Sequence, residues 1–502
     1  MILVTIAVLS MTACRGEADH LLSYGQNDAL AFSAAENSFA EKYKIFWESM
    51  NCNYAIWDYE AAFGVDWDAE YDKFMPRFKE LDERSDDNPV TDEELRALME
   101  EMVKPLHDGH LYIQMKNHKT DNFIGVMPSR LRNKDREDYR GNYSFTPCPE
   151  WYMDELLDYK GCSTGLGSFY FAVDTTAVLA RIQELQGKND ATDLDGFMLS
   201  ELQSFMDDYR QVAKLFSIEE MVSAFNLLSV RYGKYDIPGL SLFPPESVDY
   251  GITLKYALFP GNIAYFYIDK FMLTPWLEES VESTVAPDVA QQMSEQVLAV
   301  WKSWFKTVQQ LHKEGKLGGV IVDVRGNGGG MVNDYQYVMG SLLPQGNYQI
   351  GQARFKNGVG RLDYSVLMPQ VMPTLNVDRE EITEPVVVLA DCNTVSMGEA
   401  TSLTAKLMDN GRLIGTQTWG GFCYLNTDPA YYSLSYSGCV GVQDETPVFC
   451  YIPLMAFMPG DGGILEGVGL TPDIQIVLDR QMALQQRDSQ LERALQFIRT
   501  GS

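Results

Sequence analysis

The chain has 502 residues and a formal net charge of −30, with 45% hydrophobic and 22% charged residues. That length exceeds a single core and calls for about two to four domains. So acidic a surface opposes the phosphate neutralisation on which nucleic-acid binding depends, which excludes nucleic acid as the natural partner.

The first element in chain order is MILVTIAVLSMTAC, an apolar run ending in small residues at Cys14, after which the sequence turns polar. The pattern resembles a bacterial lipoprotein signal with Met11-Thr12-Ala13-Cys14 as its lipobox. It implies cleavage, a lipid anchor on Cys14 and a place in the cell envelope, in the periplasm or on the outer membrane. The run is too short for a permanent spanning helix, so the lipid would be the membrane tie, and residues 1–33 read as signal and tether. Beyond Cys14, Cys148 with Cys162 and two among Cys423, Cys439 and Cys450 are disulfide candidates in an exported protein, with buried free thiols as the alternative.

Residues 34–115 read as a helical domain. Apolar spacing predicts helices over 39–50 and 67–78. Thr91-Asp92-Glu93-Glu94 is a capping box for a helix with Leu95, Leu98, Met99, Met102 and Val103 on one face, stopped by Pro105. In LHDGHLYIQM, Leu111, Ile113 and Met115 alternate as in a half-buried strand. The middle region, 116–255, carries little pattern beyond helix-like stretches between Glu155 and Asp208. From 256 to 502 strand and helix alternate as in an α/β domain. A strand in GNIAYFYIDKF precedes a helix over 293–311. A buried strand over 319–324 runs into Arg325-Gly326-Asn327-Gly328-Gly329-Gly330. The apolar run of 386–390 turns through Asp391, Cys392 and Asn393 into a helix over 397–410 with Gly411 as its C-cap, and an amphipathic helix over 479–499 closes the chain.

Two stretches invite chemistry. The glycine loop fails as a dinucleotide fingerprint, because Met331 stands where the third glycine belongs, and as a phosphate loop, because it lacks the Lys-Ser/Thr pair. It suits close approach of main-chain N–H groups to a ligand, as in an oxyanion hole, or simply a tight turn. Ser396 stands at a strand-to-helix corner in Thr394-Val395-Ser396-Met397-Gly398, close to a nucleophile elbow, although serine is also a favoured helix N-cap. A serine nucleophile needs a base. Of five histidines, His20 lies in the tether, and His118 and His312 read as surface residues beside lysines. His107 and His110 flank Asp108-Gly109 at a helix-to-strand junction. As half of a metal site this pair lacks a second ligand cluster, so no metal is expected.

Together VIVDVRGNGGG, the DGH of Asp108 to His110, SMGE at Ser396 to Glu399, GTQTWGG at Gly415 to Gly421 and EGVGLTPDI at Glu466 to Ile474 resemble the motifs of the tail-specific (C-terminal processing) and tricorn-type serine peptidases, in that family's order. GNIAYFYIDKF is similar to the strand opening the family's catalytic core. The likeness covers about 39–115 and 256–477. It implies a crotonase-like α/β core of stacked ββα units beside a helical N-terminal domain, peptide or unfolded-protein substrates, and no cofactor. By motif position Ser396 matches the nucleophile, with the N–H groups of Gly328, Gly329 and Met397 as the oxyanion hole. The lysine base of one branch is replaced by Gly421, so the resemblance implies the histidine of the tricorn-like branch, His110. That branch also has a serine before the histidine, here Gly109, and a glutamate that holds the imidazole, which Glu466 fits by its place next to GVGLTPDI. Glu399 reads as a helix-surface or elbow-supporting residue.

Two other readings stand beside this one. Gly109, and a middle region without a convincing PDZ module, fit a peptide-binding scaffold that has lost turnover. A crotonase-type acyl-thioester enzyme would need neither Ser396 nor export.

Overall fold

The structure, a computed structural model, describes residues 29–139, 145–163, 172–173, 175–188, 192–212, 240–241, 251–277, 287–357, 360–423, 439–460 and 462–501. Cys14, His20 and the signal segment lie outside the described residues.

Runs of consecutive apolar residues bury both faces of a strand, and their main-chain groups must then pair with one another. Ile263–Ile268, Gly319–Asp323 and Val386–Ala390 are buried along their whole length. They form the middle of a seven-stranded sheet in the order Ile474–Gln475, Gly411–Gly415, Val386–Ala390, Gly319–Asp323, Ile263–Ile268, Thr253–Phe259, Asp158–Ser163. The first five strands run parallel, and the last two add antiparallel at one edge. Parallel neighbours require crossovers. Helix Pro287–Lys313 supplies one and helix Met397–Leu407 the next. The first lays Val297, Val300, Trp304 and Val308 on one face of the sheet, where Trp304 stacks on Phe266 at 4.6 Å. Leu491, Ala494 and Leu495 of helix Ser489–Thr500 cover Tyr265, Ile321, Val387 and Leu389 on the other. Both faces are therefore dry, as a mixed α/β architecture requires.

A second core gathers the N-terminal helices Phe39–Asn53, Trp67–Asp82 and Asp92–Val103. The capping box forms as expected, with Glu94 N–H donating to Thr91 Oγ1 at 3.2 Å and Thr91 N–H to Glu94 Oε2 at 3.0 Å. Strand Tyr112–Asn117 buries Ile113 and Met115 in this core and pairs antiparallel with Asn122–Val126 on one side and Val448–Tyr451 on the other. The helical region thus borrows a strand from the far end of the chain, and position 115 falls inside a hairpin.

Several local expectations change. The helix expected over 397–410 ends at Leu407, and Gly411 opens the next strand instead of capping. A Cβ at 411 would lie 2.0 Å from the Ala405 carbonyl oxygen, so close strand-to-helix packing is what requires glycine there. The last helix is two, Arg480–Leu484 and Ser489–Thr500, N-capped by Asp479 and Asp488 and separated by Gln486 at φ 58°. His118 is only half-exposed: its ring lies tilted against Phe39 at 4.4 Å, with Nδ1 3.3 Å from Lys42 Nζ. His312 sits against Glu384, with Nδ1 2.7 Å from Oε2. Of the two readings of the cysteines, paired or free, the structure has the second: Cys148, Cys162, Cys423, Cys439 and Cys450 are free thiols, and of these Cys423 and Cys450 are buried. No described helix is long and apolar enough to cross a membrane.

One buried ionic network ties the sheet to the last helix. Arg325, 1% exposed, pairs with Asp323 and with Asp488, and its Nη1 donates to Gln490 Oε1 at 2.9 Å. Asp488 also accepts the N–H groups of Gln490 and Leu491, so one carboxylate both caps the helix and neutralises the arginine. Asp488→Ala keeps the Arg325–Asp323 pair but removes two acceptors from the buried guanidinium and the cap from the last helix, and is expected to cost about 2–4 kcal/mol. Urea unfolding of the variant measures this, and a loss below about 1 kcal/mol contradicts it.

Candidate active site

Three loops leave the carboxyl ends of neighbouring parallel strands, the edge at which open α/β sheets bind ligands. They follow Gly319–Asp323, Val386–Ala390 and Gly411–Gly415. The first two are laced together. Asp391 Oδ1 accepts the N–H groups of Gly326 at 3.0 Å and Asn393 at 2.9 Å. Thr394 Oγ1 donates to Val324 O at 2.8 Å, and Val395 N–H to Asn327 O at 2.8 Å. So constrained, Ser396 adopts φ 55° and ψ −116°, a strained conformation for a residue with a side chain, at the start of helix Met397–Leu407. This is the geometry expected of an elbow.

The glycine loop closes on this corner. A Cβ on Gly329 would stand 2.6 Å from Ser396 Cβ, 3.1 Å from its Oγ and 3.2 Å from Met397 N. Gly329 N–H donates to Asn327 Oδ1 at 2.8 Å, so it is engaged and not open to a ligand as the sequence suggested. What Gly329 contributes is the absence of a side chain. Among the described residues no hydrogen bond is made by the N–H of Gly328 or Met397, and these two expected oxyanion donors keep their capacity.

The DGH segment is held by carboxylates that are all fully buried. Glu60 Oε1 accepts His107 N–H at 2.7 Å, and its Oε2 lies 2.8 Å from His107 Nδ1. Asp108 Oδ1 accepts the N–H groups of His110 at 2.7 Å and Leu111 at 2.6 Å. Glu466 Oε1 accepts Gly109 N–H at 2.6 Å, while its Oε2 accepts those of Phe422 and Cys423, each at 2.7 Å. The Gly109 carbonyl accepts Trp419 Nε1–H at 3.1 Å and Ser129 Oγ–H at 3.2 Å. Glu466 therefore acts on His110 through the main chain before it, not through the ring. The imidazole Nδ1 is enclosed without a hydrogen-bond partner.

Gly421 is where the two halves meet. A Cβ there would lie 3.3 Å from both Cε1 and Nδ1 of His110 and 3.0 Å from Cγ1 of Val395, the residue before the serine. His110 and Ser396 are thus brought to one seam, although among the described residues no hydrogen bond joins them. A lysine at 421 would start inside the volume beside the His110 ring. Glu399, which the sequence left between surface and support, is fully buried and bonds the Gly420 and Gly421 N–H groups. Neither Glu60 nor the clamps from Trp419 and Ser129 carried a sequence signal. Asp108 did, since aspartate accepting N–H groups two and three residues on is an Asx turn.

Burial sets the electrostatics. It pushes the His110 pKa down to about 4, which keeps the imidazole neutral near pH 7. It raises Asp108 to about 7 against the pull of the Leu111 and His110 N–H groups, and Glu399 to about 7. Glu466 is raised by burial and then by the neighbouring Asp108 charge. Asp108, Cys423 and Glu466 offer atoms within 4.8 Å of one another, which makes them the candidate metal ligands among the described residues. Both Glu466 oxygens and Asp108 Oδ1 are already committed to N–H donors, so the trio serves as an anchor.

The crowding at Gly109 yields a test. A Cβ there would lie 2.4 Å from Gly421 Cα and 2.5 Å from Gly420 O, both main-chain atoms. Gly109→Ser is therefore expected to cost about 1–3 kcal/mol of stability and to displace the His110 ring. Calorimetry and the ring's NMR signals check this, and a variant unchanged in both would refute the packing argument.

Residues 289–476 match the sequence profile of peptidase family S41. Tricorn protease of Thermoplasma volcanium is 27% identical over 190 residues, covering 38% of this chain and 15% of that protein, so the chain spans a small part of this relative. A candidate peptidase from Parabacteroides merdae of known structure is 15% identical, with a TM-score of 0.47 over 92% of this chain and 97% of that one. Mature CPAF complexed with lactacystin is 11% identical, with a TM-score of 0.46 over 94% of this chain and 100% of that one. His110 precedes the matched stretch, whereas the glycine loop, Ser396, Gly421 and Glu466 lie within it. The part of the chain that builds the serine elbow is a peptidase family S41 domain.

Proposed function

We propose that the protein is a serine peptidase, hydrolysing peptide bonds through an acyl-enzyme on Ser396 with His110 as general base, on a core of crotonase-like ββα units. The observation that carries this reading is the Ser396 corner: a strained φ of 55°, a glycine stripped of side chain against its Oγ, and the N–H of Met397 next to it. A merely capping serine needs none of these.

In the proposed sequence a peptide carbonyl lies over Ser396, and substrate binding closes the remaining gap to the His110 ring, a tightening usual between free and bound sites. Neutral His110 takes the hydroxyl proton as Oγ attacks, and the carbonyl oxygen becomes an oxyanion received by the Gly328 and Met397 N–H groups. Each such donor contributes roughly 3 kcal/mol in comparable sites. The imidazolium then protonates the leaving amine, and a water molecule, deprotonated by the same ring, releases the acyl group. Glu466 supports these steps by fixing the main chain that carries His110. The substrate class is peptide or unfolded protein, and Cys14 is the proposed lipid anchor to the cell envelope. Cys14→Ser would then abolish incorporation of labelled fatty acid, and retained label would refute the anchor.

Ser396→Ala and His110→Ala should each lower the rate of labelling by a serine-directed phosphonate by at least about 10³-fold with an unchanged melting temperature. Wild-type-like labelling in both removes the mechanism. Stoichiometric binding of unfolded polypeptide by a wild-type chain that neither cleaves nor labels would identify the non-catalytic scaffold instead.

A further inference from the structure

Glu399 occupies the third position of a helix whose first turn it could serve as an ordinary capping glutamate. Its bond to Ser396 N–H, at 3.3 Å, is however the longest of four. The same carboxylate accepts Thr418 Oγ1–H at 2.5 Å, Gly420 N–H at 2.8 Å and Gly421 N–H at 2.7 Å. Three of its four donors thus belong to the loop after strand Gly411–Gly415, not to its own helix. That loop is the surface on which the base rests, since Gly421 touches the His110 ring and Gly109 packs against the Gly421 main chain. Ser396 stands at one end of this run of contacts and His110 at the other, and Glu399 is the group bonded to both sides. Its carboxylate is fully buried.

We infer that Glu399 is a positioning residue whose carboxylate sets the spacing between the serine elbow and the glycine strip that seats His110. The inference rests on the proposed serine mechanism but assigns Glu399 no contact with substrate. Ionisation matters to it, because a carboxylate can accept from four donors at once, whereas a protonated carboxyl must turn an O–H toward one of them, and a glutamine an NH₂. Burial raises Glu399 to about 7, so the accepting form is gained as pH climbs through neutrality. The titratable groups facing it are Glu466, which is raised in part by the Glu399 charge, and His110 across Gly421, which burial keeps neutral down to about pH 4.

The test uses the full chain, Glu399→Gln and Glu399→Asp. Phosphonate labelling is counted per cooperatively melting molecule, and the His110 ring is followed by NMR. Expected are labelling rates lowered about 10–100-fold, the consequence of a misplacement near 1 Å, with the saturation constant for the phosphonate unchanged. The wild-type rate should rise with pH through about 7, and the Gln variant should lose that rise. Equal rates per folded molecule, or a slowed variant that keeps the wild-type pH profile, overturn the inference. The His110 ring signal needs no catalysis: because Asp108, bonded to the His110 N–H, also titrates near 7, a shift as pH passes 7 supports the clamp only if Glu399→Gln removes it, and its persistence in that variant or its absence from the wild type overturns the inference. A wild-type chain that never labels refutes the serine mechanism alone, and the ring signal still decides for Glu399.

Discussion

Main-chain N–H groups sealed from water must be paired, and around the Ser396 corner the partners are buried carboxylates where a strand would usually serve. Glu60, Asp108, Glu399 and Glu466 together accept from residues 107, 109, 110, 111, 396, 420, 421, 422 and 423. Loops at the ends of parallel strands have left the ladder and have no neighbour to bond. A carboxylate suits that vacancy, because it offers several lone pairs and brings no donor of its own to satisfy. Glu60, Glu399 and Glu466 bridge segments far apart in sequence while Asp108 closes its own turn, and together they hold the main chain around His110 and Ser396.

The same device has an electrostatic cost. Arg132 is the cation that balances this cluster most directly, and its guanidinium is committed to the carbonyls of Leu106 and His107. Burial raises the carboxyls of Asp108 and Glu399 to about 7, well above their ordinary values. A carboxyl raised in the folded state favours folding below its unfolded pKa, and that contribution fades as pH rises through the folded value. Near neutral pH these groups therefore oppose folding. The Arg325 network differs: Asp323 and Asp488 flank a guanidinium directly, and it braces the sheet on the side of the last helix. The carboxylates that brace the sheet bond a guanidinium directly, whereas those around Ser396 accept chiefly from main-chain N–H groups.

How far the sequence could be read follows from the range of the interactions involved. Periodicity located the buried strands and the helix over 293–311, because side-chain burial repeats locally. The elbow was visible for the same reason, since a strand-to-helix corner is built locally, whereas the DGH segment was placed by motif resemblance. Glu466, placed by motif resemblance, bonds to Gly109 across 357 positions, and no local pattern could say that it would reach the main chain and not the imidazole. Glu399 is the instructive case. Its bond to Ser396 N–H supports the elbow as the sequence allowed, yet its shorter bonds go to residues 19 to 22 positions onward. Gly411, taken for a cap, answered instead to the approach of Ala405, a tertiary contact invisible in the sequence.

Three glycines make the arrangement possible by what they lack. Gly329 leaves room for Ser396, Gly421 for the His110 ring, and Gly109 for the main chain of Gly421. A Cβ at 421 would stand 3.3 Å from the His110 ring, close enough that the ring must give by a few tenths of an ångström to admit any side chain there. The serine that precedes the histidine in the tricorn-like branch meets a similar limit, because its Cβ would fall on main-chain atoms that cannot rotate away. Gly109 is therefore not a lost catalytic residue. Its place is set by packing, in a segment where the main chain around His110 is gripped by Glu466 and Asp108 and the ring Nδ1 has no hydrogen-bond partner.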